Sequence, residues 1–391
     1  MAGRMPKKRG NGQGAIFKRK DGRWVAVQTL GFDADGHQLR RHFYGSSRSE
    51  VGRRLDDALR AQRSGMSPPD ERRTVARHLA DWLDAIRPTV RPSSFVRYEG
   101  DVRRWIVPSV GSIPLVRLGP TDIRLLLATC TRAGLSARSV SHVHATLRTA
   151  IGAAFRDGQV IRNAAALVTA PRGPTRRVPP IGPDDARAIL AAVEGDRLAP
   201  LVAVTLGVGL RLGEALGLRW ADVDLDAGTL AVRTALRRTP VEFREEGEPI
   251  YRLVAPKTDR SRRTIQLPGF TIAALREERR AQAEMRLAAG QRWLKNDLVF
   301  SGPTGGPIPP GSVTRRFGRL LVEAGLRRLR FHDLRHAAAT VMLAQGVELR
   351  VISETLGHSS LGMTADVYAG VVPTLGRAAA ARMDEALGGA R

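Results

Sequence analysis

One cysteine, Cys130, is all that the 391 residues contain, which excludes an internal disulfide and a cysteine-rich metal site. Lysine is scarce for so basic a chain, at six of the 63 lysines and arginines. Tyrosine occurs four times, as Tyr44, Tyr98, Tyr251 and Tyr368. No long apolar run, secretory leader or lipidation signal is found, so a membrane role has no support and a cytoplasmic, nucleoid-associated location is the expectation. Nor is there a carboxylate cluster of the kind that holds catalytic metal ions. What is present in excess is positive charge. The formal net charge of +25 asks for a polyanionic partner, and arginine in place of lysine suits planar, bidentate phosphate contacts. Arginine bias also follows from a GC-rich genome and carries little weight by itself. The length implies two or three domains, and an apolar fraction of 42% is enough to give each a core.

The patterning predicts a mainly α chain with small β elements, an α+β architecture. Residues 1–13 hold Arg4, Lys7, Lys8 and Arg9 among glycines and read as a disordered basic arm. Residues 14–64 read as a three-stranded sheet plus a helix. Asp21-Gly22 marks a tight turn, Trp24 to Leu30 the middle strand, and Leu39 to Tyr44 the third strand. Ser47-Arg48-Ser49-Glu50 has the form of a capping box, and Val51, Leu55 and Leu59 make one helical stripe. Lys18, Arg19, Lys20, Arg23, Arg40 and Arg41 crowd this unit. A solvated sheet face is the commoner fate of such charge, but the charge of the whole chain favours a sheet laid into a DNA groove.

After a linker at 65–71, residues 72–168 read as four short helices. Val75, Leu79, Trp82, Leu83 and Ile86 line the first. Ser93 or Ser94 caps the second, which carries Tyr98, Val102 and Trp105 inward and ends at Pro108. Pro120 opens the third. Ser136 caps the fourth, with Val140, Val143, Leu147, Ile151 and Phe155 in register. Arg138, Ser139, His142 and His144 lie near the start of that fourth helix. Each is most simply solvated surface, although a helix N-terminus suits a phosphate. A stiff basic linker with Arg176 and Arg177 follows and could lie on DNA, closing two domains around a duplex. From Ile181 onward the pattern is helical, interrupted by a small β-meander at Thr229–Arg237, Tyr251–Ala255 and Arg263–Leu267. No internal repeat is found.

The chemistry concentrates in a few positions. Splitting a phosphodiester needs a nucleophile, a proton donor for the leaving oxygen, and positive charge on the crowded phosphorane. Arg211, in Gly209-Leu210-Arg211-Leu212-Gly213-Glu214, and Arg335, in His332-Asp333-Leu334-Arg335, each offer a fork of N–H donors. His332 and Arg335 share a helix face by their i,i+3 spacing. The same spacing lets Glu214 orient Arg211. Lys257, in Pro256-Lys257-Thr258, falls where a hairpin turn would present it as a general acid, though a lysine on a turn is by itself an ordinary surface charge. Tyr368 alone would be a rim aromatic; as a nucleophile it would conserve bond energy in a covalent phosphotyrosine. His332 and His336, spaced i,i+4, also fit a zinc helix, but the glutamate of a metalloprotease is missing between them and Arg335 would sit beside the cation.

Taken together these motifs resemble the tyrosine recombinase family of the phage and integrative-element integrase type. Gly209–Trp220 resembles the block around the family's first catalytic arginine, and Pro256-Lys257-Thr258 resembles its β-hairpin lysine. Phe331–His336 resembles its His-x-x-Arg block. Leu356-Gly357-His358-Ser359-Ser360 with Tyr368 resembles its final block. The resemblance implies a catalytic set of Arg211, Lys257, His332, Arg335, His358 and Tyr368, with Tyr368 as nucleophile and Glu214 in support. It implies an arm-site-binding domain at 14–64, a helical core-binding domain at 72–168 and a catalytic domain at 181–375. A tail at 376–391 would dock on a neighbouring protomer, an idea to which the apolar Leu375, Met383 and Leu387 give physical content. It also implies a 3′-phosphotyrosine, a Holliday junction, four protomers on duplex DNA with core and arm sites, and no metal or ATP. Excision-directing and DNA-bending proteins would be the further partners. Gly370 and Ala337 depart from residues common in the family, at positions without a chemical role.

Three rivals remain. A chromosome-dimer resolvase or relaxing topoisomerase would usually lack the added sheet at 14–64. A regulator that binds without cutting would be marked by a degenerate site, and here every chemical position is filled. A nuclease would usually need the carboxylate–metal cluster that is missing.

Overall fold

The computed structural model describes residues 14–32, 36–63, 70–171, 173, 179–256, 262–357, 383–385 and 387. The basic arm at 1–13 lies outside them, as does nearly all of the C-terminal tail. The chain divides into two compact units, residues 1–175 and 176–391. Among the described residues no helix is long and apolar enough to cross a membrane.

In the first unit, β1 (Ala15–Lys18), β2 (Trp24–Phe32) and β3 (Gln38–Gly45) form an antiparallel sheet with β2 in the middle. Residues 19–23 close the first turn, with the Gly22 amide donating to Arg19 O at 3.0 Å and Gly22 at φ 83°, a conformation that favours glycine. α1 (Arg48–Arg63) covers one face of the sheet. Val51, Leu55 and Leu59 bury their stripe there against Ala26, with Ile16, Trp24 and Phe43 around them. The cap differs from the expected box. The Glu50 amide donates to Ser47 Oγ at 3.2 Å, but the Glu50 carboxylate turns back to the amide and hydroxyl of Ser46, both at 3.1 Å.

A helical bundle with its own core occupies the rest of this unit. α2 (Val75–Ile86) is capped by Thr74, and α3 (Pro92–Asp101) starts on a proline at its first position. Ser93 and Ser94 are therefore inside the first turn rather than capping it. The helix does not stop at Pro108. A π-helical turn at Val102–Ile106 leads into α4 (Val107–Val110), with the Val107 amide donating to Val102 O. The wider turn accommodates the ring and the missing donor of Pro108. α5 (Pro120–Arg132) and α6 (Ala137–Arg156) complete the bundle, and Ser136 caps α6 through the Ser139 amide at 3.2 Å. Val140, Val143, Leu147 and Ile151 are buried, but Phe155, in the last turn, is 49% exposed.

In the second unit, α7 (Pro183–Ala192) packs beside α8 (Ala199–Val208), which is apolar on every side and almost wholly buried. α9 (Leu212–Leu216) follows directly. The expected meander is two separate sheets. β4 (Val223–Asp224), β5 (Thr229–Val232) and β8 (Arg263–Gln266) form one, and β6 (Ala235–Arg238) pairs with β7 (Tyr251–Val254) in the other. The run read as one strand from Thr229 breaks at Arg233-Thr234, where the Thr234 hydroxyl donates to Gly217 O at 2.6 Å. α10 (Gly269–Ala289), α11 (Pro310–Glu323), α12 (Asp333–Ala344) and α13 (Leu349–Leu356) complete the described part, with α10 and α12 packed on α8.

Glu278, on α10, is 3% exposed. Burial lifts its pKa from 4.5 to about 7, opposed by Arg197 at 3.9 Å. The folded state therefore holds this proton to a higher pH than the unfolded chain, so stability falls as pH rises between those two values. Glu278→Gln is expected to flatten that slope and to melt above the wild type at alkaline pH, in thermal unfolding followed across the window.

Candidate active site

α8 ends because Gly209 enters the left-handed region at φ 67°, and a Cβ there would lie 2.2 Å from Leu356 Cδ2. The turn sets Arg211 at the N-cap of α9 and Glu214 at its third position. The Glu214 carboxylate accepts from the Arg211 amide at 3.1 Å and from Arg211 Nη1 at 2.6 Å, so the residue that caps the helix also aims the guanidinium. Its Oε2 takes a further bond from Arg263 Nη2 at 3.1 Å. Arg263 opens β8 on the same face as the buried Ile265.

The other half of the site is the C-terminus of α13, which stops where Gly357 adopts φ 65°. Three successive carbonyls there accept from three arginines. Arg263 Nε reaches Thr355 O at 2.6 Å, Arg335 Nη2 reaches Leu356 O at 2.6 Å, and Arg211 Nη2 reaches Gly357 O at 3.2 Å. Arg335 Nη1 also donates to Gly209 O at 2.6 Å, tying the end of α8 to the start of α12. The end of a helix carries partial negative charge, which favours cations, and charge-assisted bonds of this length are the stronger kind.

Arg335 is 2% exposed. Burial, and then the neighbouring Arg211, pull its pKa to about 9, which leaves it cationic at neutral pH. Burial also lowers the Arg263 pKa, with Glu214 opposing. For Glu214, burial raises the pKa, but the charges of Arg263 and Arg211 and the Arg211 hydrogen bonds outweigh it, and the net shift is downward. Arg211 keeps 37% of its side chain in solvent and is the open side of the cluster. An anion arriving here meets an exposed guanidinium backed by two buried ones.

His332 is the N-cap of α12 and meets His336 edge to face, with ring centroids 5.1 Å apart. Its ring keeps solvent access, yet desolvation first, and then His336 and Arg335, hold its pKa below the ordinary imidazole value. Asp333 is buried and grips Arg330, whose Nη2 lies 2.8 Å from Oδ1 and whose amide donates to Oδ2 at 2.9 Å. Among the described residues no three His, Cys, Asp or Glu side chains are grouped to hold a metal ion.

Arg211, Glu214 and Arg335 therefore meet at the end of α13, with His332 at the start of the helix that carries Arg335. Lys257, His358 and Tyr368 lie outside the described residues. Their chain positions are informative all the same: Gly357 immediately precedes His358, and Lys257 falls in the connection from β7 to β8. Among the described residues those two strands pair in different sheets. Arg263 was missed, although it stands at the inward phase of a short alternating strand, which is the one signal that could have marked it.

The basic residues expected on DNA divide. Lys18, Arg19, Lys20 and Arg23 are exposed around the first turn. Arg40 and Arg41 cannot act on one face. Arg40 pairs with Thr29 on the open side of the sheet, whereas Arg41 pairs with Gln28 on the helix side, its guanidinium 5.4 Å over Phe43. Arg138 is exposed, and Ser139 is partly buried with its hydroxyl 3.0 Å from that of Ser136. His144 is not a surface group: it is 7% exposed and its Nε2 lies 2.9 Å from Ala165 O, so helical phase turns it into the core. Arg176 and Arg177 lie outside the described residues.

Comparison with known proteins gives this geometry its setting. The model of the phage integrase family matches residues 181–373. An integrase from Streptomyces ambofaciens is 30% identical over 383 residues, covering 93% of this chain and 94% of its own length. The chain belongs to the phage integrase family of tyrosine recombinases. As a member it is a site-specific DNA recombinase. A XerC-like tyrosine recombinase from Caldanaerobacter subterraneus is 29% identical over 88% of this chain and 91% of its own length. Among solved structures, the Tn1549 transposon integrase in complex with transposon right end DNA aligns at TM-score 0.67 and 20% identity, over 78% of this chain and 100% of that one. A lambda integrase tetramer bound to a Holliday junction aligns at TM-score 0.56 and 18% identity, over 92% of this chain and 96% of that one. Both are likenesses of fold.

Removing the shared carboxylate is expected to be costly. Glu214→Ala leaves Arg211 and Arg263 facing each other and should destabilise this unit by about 3–5 kcal/mol, read as a lowered urea midpoint with unchanged far-UV dichroism of the native protein.

Proposed function

We propose that this recombinase is an integrase of a phage or other mobile element, and that it cuts and rejoins DNA through a 3′-phosphotyrosine. The observation that carries the reading is the convergence of Arg211 and Arg335 beside His332, at the end of the helix that leads to His358. In this reading the scissile phosphate sits against the exposed edge of Arg211, with Arg335 behind it. The two guanidiniums bear the charge of the pentacoordinate transition state. The Tyr368 phenol oxygen attacks phosphorus, the P–O5′ bond breaks, and the leaving 5′ oxygen takes a proton from Lys257. His332, neutral at pH 7 because its pKa is low, accepts a hydrogen bond or proton from the attacking side, and His358 donates to a non-bridging oxygen. The 5′-hydroxyl of the partner strand then attacks the phosphotyrosine and regenerates the phenol. The bond energy is kept in the covalent link, so no nucleotide is consumed.

The same reading takes double-stranded DNA as the partner, with core sites held by the helical bundle and arm sites by the sheet at 14–64. Its open face carries Phe17, Arg40, His42 and Tyr44, a mixed aromatic and basic surface that suits a groove. The domain limits then follow as 14–64, 72–168 and 181–375. Four protomers would hold two duplexes and pass through a Holliday junction, as the fold shared with the lambda tetramer supports. The tail at 376–391 would reach a neighbouring protomer. Excision-directing and DNA-bending proteins would act beside it, in a nucleoid setting.

The test is a suicide-substrate assay. The protein is incubated in EDTA with nicked duplexes tiled across the DNA that flanks its gene, and adducts are resolved on a denaturing gel. A band present in wild type and absent in Tyr368→Phe is the expected result; an adduct that survives in Tyr368→Phe overturns the assignment of the nucleophile. Specific binding with no adduct at any duplex would instead favour a regulator. The low His332 pKa adds a pH prediction: the adduct rate should hold level as pH falls through the ordinary imidazole range and drop only below it, where His332 protonates.

A further inference from the structure

We propose that Arg263 is a positioning residue for cleavage, which keeps Glu214 ionised as the rest for Arg211 and fixes the end of α13 through Thr355. The proposal rests on the recombinase reading above and assigns a role to a side chain outside the expected catalytic set. Arg263 does not face solvent: its side chain is 8% exposed, against 37% for Arg211. It stands behind the exposed guanidinium and donates to Glu214 Oε2 at 3.1 Å, the carboxylate that also holds Arg211, and to Thr355 O at 2.6 Å.

The carboxylate needs both arginines. A buried carboxyl is driven toward its neutral form, and here the Arg263 charge is the largest single effect that holds it ionised, joined by the charge and hydrogen bonds of Arg211. The two oxygens are divided, Oε1 for Arg211 Nη1 and Oε2 for Arg263 Nη2. With Arg263 removed, Glu214 takes up a proton more readily. A protonated carboxyl has one oxygen that donates rather than accepts, so it can no longer receive both the amide and the guanidinium of Arg211. The aim of Arg211 at the phosphate is then lost. The second bond acts on geometry alone. Thr355 O is the first of the three clamped carbonyls, two residues before Gly357 and three before His358, so Arg263 ties the base of the segment that leads toward Tyr368 to the strand below it.

These two duties are separable, because lysine supplies the charge with a single ammonium and without the planar fork that spans both acceptors. Arg263→Gln, Arg263→Lys, Glu214→Gln and the double variant Glu214→Gln/Arg263→Gln are compared with wild type in the full-length chain. The duplex is one on which wild type forms the Tyr368-dependent adduct. Single-turnover adduct rate at saturating DNA, affinity for the duplex, and the rate as a function of pH are measured.

Arg263→Gln should keep its affinity within about threefold and lose roughly 30-fold in rate. It should also acquire an acid limb, its rate falling as pH is lowered over a range where wild type stays level. Arg263→Lys should restore the level profile at a reduced rate. In the Glu214→Gln background, where no charge is left to hold, Arg263→Gln should cost less than about threefold. A wild-type rate and profile in Arg263→Gln overturns the proposal. So does a loss of affinity that matches the loss of rate, which would make Arg263 a DNA contact, and so does a fully additive loss in the double variant. If Arg263→Gln does not fold, a wild-type rate in Arg263→Lys overturns the geometric half, and an acid limb in that variant overturns the electrostatic half. A wild type that forms no adduct on any duplex removes the reaction itself, and the role of Arg263 with it; an adduct in wild type with an unaffected Arg263→Gln removes only the latter.

Discussion

A single buried carboxylate, Glu214, shared between two guanidiniums, is the constraint on which the catalytic unit is organised. It draws together a helix start, a strand start and a helix end that are far apart in the chain, because Arg211 and Arg263, both bound to Glu214, continue into contacts with the end of α13. A charge taken out of water is unfavourable unless it is paired and hydrogen-bonded. Here the pairing is reciprocal. Glu214 holds two cations in place, and the carbonyls at 355–357 take up the N–H donors that the carboxylate does not reach. Arg335, the most deeply buried of the three, has no carboxylate on it among the described residues and is held by backbone carbonyls at the ends of α8 and α13. The cluster therefore keeps a surplus of positive charge next to its open edge, which is what a phosphate site requires.

The net charge of +25 divides along the same lines. Some arginines are held inward, Arg263 and Arg335 in the catalytic unit, and Arg219 and Arg233 are engaged by the buried Asp222. Others stand free of the core, as at the first turn of the N-terminal sheet. Adjacent positions can fall on opposite sides, as Arg40 and Arg41 do, because successive residues of a strand point to opposite faces. Composition alone counts all of them equally as DNA-binding charge.

Much of this was legible because local rules and global packing agree. The stripe Val51, Leu55, Leu59, the Ser136 cap and the Arg211–Glu214 spacing each have a cause within a few residues, and each is where its pattern places it. The failures share a different cause. Pro108 should end a helix, but an upstream π turn makes room for it. His144 and Phe155 sit on the same helix with their expected exposures exchanged: helical phase sets His144 beside Val143 and Leu147 in the core, whereas Phe155, in the last turn, is left half exposed. Thr229–Arg237 has the composition of one strand, yet it serves two sheets, since the close approach of α9, where Gly217 has no room for a Cβ beside Ala235 and Leu236, bends it at Thr234.

What the sequence by itself determined is the chemical vocabulary: arginines, histidines, a lysine and a tyrosine in an order that identifies the family, on elements whose caps and periods are local. Only the tertiary structure decided which guanidinium faces the solvent and which are held behind it. That choice depends on three carbonyls at the end of α13 and on one strand residue, Arg263, that local spacing cannot relate to Arg211. Backbone acceptors carry no residue identity, so no pattern of side chains could have announced them.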